Sequence, residues 1–187
     1  ARALRKSELD SGTQSKNLVV KAVWRLARLY DRIPDMAVHL TKNLPLGAGI
    51  GGGSSDAAAV IWWFCSLWDI PRDDEKVSDL LISLGADVPV CFAAHDARIK
   101  GLGDVFEHVP ALPELCAVLV HPGKPSSTPD VFKRFEGEMR DLIALPSSFS
   151  GRDDFLSFMK RCDNDLTPAA MRVVPEIENV LQAIEAQ

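Results

Sequence analysis

Long apolar runs are missing from this 187-residue chain. The richest stretch, Ala57 to Cys65, is nine residues long, half of the roughly 18 a membrane span needs, so no membrane partner is expected. Excess positive charge is missing too. With 21 Lys and Arg against 26 Asp and Glu, the formal net charge is −5, which argues against nucleic acid as the main partner but leaves room for a local positive pocket. The cysteines at 65, 91, 116 and 162 form no CxxC pair, and the histidines at 39, 95, 108 and 121 show no HxxxH spacing. Neither a zinc site nor a disulfide framework is expected, and a reducing, cytoplasmic compartment is the default. Ala1 to Lys16 is polar and lacks a signal-peptide core. Internal repeats and low-complexity tracts are also absent.

What remains is globular: 47% hydrophobic and 25% charged residues, with 12 glycines and 12 prolines. A chain of this length buries about 70% of its unfolded surface, enough for one large domain or two small ones. Asn17 reads as the cap of a helix running to about Tyr30, with apolar residues at spacings of three and four. Met36, Val38 and Leu40 alternate with Ala37, His39 and Thr41, the pattern of a strand with one buried face. Ala57 to Trp68 is apolar enough for a helix buried on most of its circumference, with Trp62, Trp63 and Trp68 in the core. Asp73 to Leu84 reads as a helix stopped by Gly85, and Asp87 to Phe92 as an extended segment in which Pro89 disfavours helix. Short strands are expected at Ala97–Lys100, Val105–Val109 and Leu115–His121. Helices are expected at about Asp130–Arg134, Arg152–Arg161, Asp165–Met171 and Glu176–Ala186. The Pro110 to Pro113 stretch is the best boundary between two lobes.

Between the strand-like segment and the apolar helix lies a glycine run, Pro45-Leu46-Gly47-Ala48-Gly49-Ile50-Gly51-Gly52-Gly53-Ser54-Ser55-Asp56. Such a loop leading into a helix presents free backbone N–H groups and the positive dipole end to a phosphate, and glycines let the ligand come close. The plainer reading is a tight turn before a buried helix. Ordering so much glycine without a use is entropically costly, which favours the phosphate reading. A P-loop is excluded, because no lysine lies between Gly47 and Asp56. Gly47-x-Gly49-x-x-Gly52 with Asp69 matches a dinucleotide fingerprint loosely, but no strand intervenes before Asp69 and Pro45 interrupts the entry. A mononucleotide triphosphate site ranks higher. Ser54 and Ser55 lack the GxSxG context of a nucleophile. Taken alone, Asp87 reads as a turn or cap residue, Phe132 as a core aromatic, and Lys124 as a solvated turn lysine.

The run from Pro45 to Ala58 resembles the second signature motif of the GHMP kinases, the family of galactokinase, homoserine kinase and mevalonate kinase. Asn17-Leu18-Val19, Leu84-Gly85-Ala86-Asp87-Val88-Pro89-Val90, and His121-Pro122-Gly123 through Ser127-Thr128-Pro129 to Phe132 resemble further stretches of that family, in the same order. The resemblance implies an α+β, two-lobe architecture: a ribosomal protein S5 domain 2-like lobe over residues 1–112 and a ferredoxin-like α/β lobe over 113–187, both incomplete. It also implies transfer of the ATP γ-phosphoryl group, assisted by Mg2+, to a hydroxyl of a small cytidine diphosphate-linked substrate of isoprenoid precursor biosynthesis. Pro45, Leu46, Gly47, Ala48, Gly49, Ile50, Gly51, Gly52, Gly53, Ser54 and Ser55 would hold the triphosphate, with Asn17, Leu18 and Lys42 near the adenine. Asp87 would be the catalytic carboxylate, Thr128 a hydrogen-bonding partner of the cytidine and Phe132 its stacking platform.

Asp56 is expected to face away from the phosphates. The Ser-Ser pair that other members place after Gly-Leu-Gly falls on Gly52 and Gly53 here, leaving Ser54 or Ser55 as magnesium ligands and that assignment open. A Lys-Ile-Asn-Leu-like motif and a closing glycine-rich motif are not within the 187 residues, so the chain is expected to be an internal portion, inactive by itself. Another GHMP small-molecule kinase, or a nucleotide-binding module without catalysis, are the alternatives. Oligomeric state is not legible.

Overall fold

Asn17 opens the first helix, α1 (Leu18–Leu29), by accepting a hydrogen bond on its side-chain oxygen from the Val19 N–H at 3.0 Å. The computed structural model describes residues 14–44, 49–101, 103, 105–138 and 140–186. Along α1 the apolar positions Val19, Ala22, Val23, Leu26 and Ala27 form one buried stripe. That stripe packs on α2 (Gly52–Leu67), the longest helix among the described residues. Helix α3 (Glu75–Leu84) is capped by Asp74, whose carboxylate accepts from the Lys76 N–H at 2.9 Å, and it stops at Gly85. Together with α4 (Val88–Ala93) these helices enclose a core in which Leu26, Ile61, Phe64, Val77 and Val88 are fully buried. Burial drives this assembly, since each such side chain contributes about 1.5–3 kcal/mol on leaving water.

The chain divides into two compact units. Among the described residues, 14–41 and 51–108 form one, and 42–44, 49–50 and 109–186 form the other. The first unit ends in a hairpin, β1 (Ala97–Lys100) antiparallel to β2 (Val105–His108), with Ala97 opposite His108 and Lys100 opposite Val105. An ion pair between Lys100 and Glu107 links the two strands.

The second unit carries α5 (Thr128–Lys133), α6 (Arg152–Met159), α7 (Thr167–Val173) and α8 (Glu176–Glu185), close to the four expected spans. Prolines in the first turns of α5 and α7 are tolerated because an amide there has no helical partner. Phe149 meets Phe155 and Phe158 edge-on at 5.1 and 5.5 Å between ring centroids. Arg140 reaches both Asp163 and Asp165, tying the loop before α6 to the segment before α7.

Several expectations are corrected. Helix α2 begins five residues before Ala57, because the packing of its apolar middle carries the glycine-serine turn into helix against intrinsic propensity. Its circumference is buried on one face only: Trp62 and Trp63 are nearly half exposed, at 44% and 45%. Arg72 lies 3.5 Å from the centre of the Trp62 ring and donates to Ser66 Oγ, so Trp62 serves as a surface platform instead of core. Residues 87–92 are helical from Val88 on, since Pro89 falls in the first turn, where its missing N–H costs nothing. Residues 36–40 and 115–121 form no strand, and among the described residues the sheet consists of β1 and β2 alone. Val38 and Val118 are exposed as a result. Among the described residues no helix is long and apolar enough to cross a membrane.

Phe64 anchors the first unit, whereas Trp63 beside it is half in water. Phe64→Ala should destabilise the unit by about 3–5 kcal/mol and Trp63→Ala by less than half as much, read from urea unfolding midpoints. Equal losses would contradict this core.

Candidate functional site

The first turn of α2 is built unlike any other helix of eight residues or more among the described residues. α1 and α3 have side-chain caps, and α6 and α8 carry acidic residues in their first turns. α2 has neither. Its N-cap is Gly51, held at φ +68, in the left-handed region that glycine adopts without strain. Gly49, two residues earlier, also sits at positive φ. The first backbone bond within the helix is from Ser55 N–H to the Gly51 carbonyl at 2.9 Å. Helix geometry therefore leaves the amides of Gly52, Gly53 and Ser54 without intrahelical acceptors, at the positive end of a 16-residue dipole.

Gly52 and Gly53 do not have positive φ, and a Cβ added at either would meet nothing within 4 Å. Neither conformation nor packing among the described residues demands glycine there, and helix propensity disfavours it by about 1 kcal/mol each. What two bare positions provide is close approach of another molecule to the backbone. An anionic, phosphate-sized group fits this feature. The hydroxyls the turn offers are those of Ser54 and Ser55. Asp56, one residue further, lines an apolar groove of about 380 Å³ with Met36, Val38, Ala59, Val60 and Trp63.

Asp87 is exposed at the N-cap of α4, and its carbonyl accepts from the Cys91 N–H at 3.2 Å. Its carboxylate makes no cap hydrogen bond, so the group is not consumed by the structural role its position suggests. The charge is felt locally: burial first, and then the Asp87 carboxylate, push the Cys91 thiol above its ordinary pKa. α4 packs directly on α2, so the helix that Asp87 opens is braced by the helix that begins at Gly52.

A second brace was not legible in the sequence. Gly103, in the turn between β1 and β2, is buried at φ +92, and a Cβ there would lie 2.1 Å from the Ala86 carbonyl oxygen. Only glycine lets the hairpin turn press against the peptide immediately before Asp87. The only sequence signal was the pair Gly101 and Gly103, which reads equally well as a plain turn.

Asn17 and Leu18 stand at the start of α1 in the same unit. Asn17 Oδ1 is engaged in capping, and Leu18 packs against the core. Lys42, Gly49 and Ile50 belong to the second unit, as do Thr128, the exposed first residue of α5, and Phe132, which is 52% exposed and so not a core aromatic. Lys124 lies 3.9 Å from Glu176, both largely solvated. Pro45, Leu46, Gly47 and Ala48 lie outside the described residues. The structure thus gathers Asn17, Leu18, Gly51 to Ser55 and Asp87 in one unit. Among the described residues no group of three or more His, Cys, Asp or Glu side chains is arranged to hold a metal ion.

Comparison with known proteins follows the same residues. Residues 17–95 match the family described as GHMP kinases N terminal domain. The chain is 41% identical over 150 residues to the 4-diphosphocytidyl-2-C-methyl-D-erythritol kinase of Rhizobium etli, covering 80% of this chain and 50% of that protein. It is 40% identical over 169 residues to the protein of the same name from Granulibacter bethesdensis, covering 90% and 56%. A crystal structure of 4-(cytidine 5'-diphospho)-2C-methyl-D-erythritol kinase superposes with a TM-score of 0.66 at 26% identity, covering 91% of this chain and 62% of that one. The chain spans about half to three-fifths of the length of these relatives.

The Cys91 thiol reports on Asp87. In Asp87→Asn the loss of the negative neighbour lowers the thiol pKa, so at pH 8 the thiolate fraction and the rate of Cys91 alkylation should rise by about twofold or more. Mass spectrometry of time-resolved labelling, with exposed Cys116 as the internal reference, reads this directly. An unchanged Cys91 rate would mean that the carboxylate does not face the thiol.

Proposed function

We propose that this chain is part of a GHMP kinase, whose N-terminal domain its residues 17–95 match, and that the protein is a small-molecule kinase that phosphorylates a hydroxyl of 4-diphosphocytidyl-2-C-methylerythritol. The observation that carries the phosphate-binding part is the uncapped start of α2, with open space above Gly52 and Gly53. The choice of acceptor is supported by the names of the relatives, which are 36–41% identical to this chain.

ATP supplies the γ-phosphoryl group, with Mg2+ neutralising charge on its oxygens. In this reading the amides of Gly52, Gly53 and Ser54 bind phosphate oxygens, and the run from Pro45 to Ser55 is the triphosphate-binding motif. Ser54 and Ser55 offer the hydroxyl oxygens that a hard cation takes as ligands. Asn17, Leu18 and Lys42 border the adenine. Asp87 orients the acceptor hydroxyl and takes its proton as the hydroxyl oxygen bonds to the γ-phosphorus and the bond to the bridging oxygen of ADP breaks. Thr128 and Phe132 hold the cytidine by a hydrogen bond and by stacking, a use that suits an aromatic ring left half in water. Four free cysteines suit a reducing cytoplasm.

Asp87→Asn should lower kcat by about 10² or more with a nearly unchanged KM for ATP, measured in a coupled ADP-release assay of the full-length protein. In the same assay Phe132→Ala should raise KM for the cytidine substrate. Near-normal turnover in Asp87→Asn would remove its role, and turnover of homoserine or mevalonate in place of the cytidine compound would assign a different acceptor.

A further inference from the structure

A second positively charged feature lies on the first unit and takes no part in the reading above. Helices α1 and α3 border an open cleft of about 670 Å³. Among the described residues, Arg25, Arg28 and Lys76 line it with one carboxylate, Asp79, and Lys76 Nζ also lies 5.8 Å from the centre of the Tyr30 ring. A local excess of positive charge in a chain of formal net charge −5 is the local pocket that composition leaves open.

Arg25 is anchored through Ser83. Its Nη1 donates to the Ser83 carbonyl at 3.3 Å and to Ser83 Oγ at 3.2 Å, and Ser83 Oγ itself donates to the Leu80 carbonyl at 2.7 Å. These bonds lock one edge of the guanidinium while leaving its other N–H groups without a carboxylate. Neither Arg25 nor Lys76 forms an ion pair among the described residues, although Asp79 lines the same cleft. Arg25 and Arg28 also stand three apart on α1, a like-charge spacing that costs a few tenths of a kcal/mol in a helix. An arginine held at one edge with its remaining donors open, beside a lysine and a second arginine, suits a phosphate: planar forked donors together with a point charge. Leu29 and Leu80 give the cleft apolar surface, and its volume falls in the range of small-molecule sites.

We propose that this cleft is a binding site for a small organic phosphate, separate from the glycine turn of α2, with Arg25 and Lys76 as its principal ligands. The phosphate engages the open edge of Arg25 and the Lys76 ammonium, and Asp79 accepts from a hydroxyl on the organic part. The site does not depend on the kinase reading, because its residues are distinct from the turn and from Asp87.

Backbone amide NMR of the 187-residue chain, titrated with inorganic pyrophosphate and then with glycerol 3-phosphate, separates the two sites. The expected result is saturable shifts clustered at residues 25–29 and 76–83, weakened at least about tenfold by Arg25→Gln and by Lys76→Gln, with any shifts at 51–55 unaffected. Retained spectral dispersion in either variant excludes misfolding as the cause. Shifts confined to 51–55, or cleft shifts unchanged in both variants, would overturn the proposal. Loss of binding at 51–55 with the cleft intact would count against the kinase reading alone.

Discussion

A helix that starts on glycine has to be held in place by something other than its own first turn. In α2 that work falls to Ala57, Ala58, Ile61, Phe64 and Cys65, all buried in the core that α2 shares with α1, α3 and α4, with α1 and α4 packed directly on it. Burial of this middle section offsets the propensity lost at Gly52 and Gly53, and it fixes where the uncapped amides point. The uncapped amides of the turn and the packing of the core are therefore one feature seen from its two ends. Removing core volume loosens the amides, and filling the glycine turn blocks what they reach.

The same logic places Asp87. Two backbone constraints converge on it from opposite sides in sequence: α4, which packs on α2, follows it, and the Ala86 carbonyl, pressed by Gly103, precedes it. Neither constraint uses the carboxylate. The side chain is left exposed at a rigid helix start, with no cap hydrogen bond to satisfy. A carboxylate meant to orient a hydroxyl gains from this arrangement, because precision comes from the backbone while the oxygens stay free.

Much of this was legible in the residues. Asn17 as cap, the apolar spacing of α1, a helix near Asp73 to Leu84 stopped by Gly85, the short strands β1 and β2 and the four helices of the second unit follow from local chemistry that acts within a few residues. Pairing partners were not legible. Alternation at Met36, Val38 and Leu40 and the apolar run at Leu115 to Val120 describe strands, yet a strand exists only beside another, and none lies there among the described residues. Proline misled at residue 89, because its position within a first turn decides its effect and that position depends on where the helix starts. Trp62 misled because a large apolar ring can equally serve as a platform for Arg72. The close approach of Gly103 to Ala86 joins residues 17 apart and leaves no local trace beyond an ordinary turn.

The central claim is that Gly52 and Gly53 are there for a ligand and not for the fold. Replacing both by alanine tests it in one protein. The account predicts unchanged or higher thermal stability, by about 0.5–1 kcal/mol for each replaced glycine, together with a loss of ATP affinity of about tenfold or more in the same preparation by calorimetric titration. A doubly substituted protein that is more stable and binds ATP as well as before would contradict it.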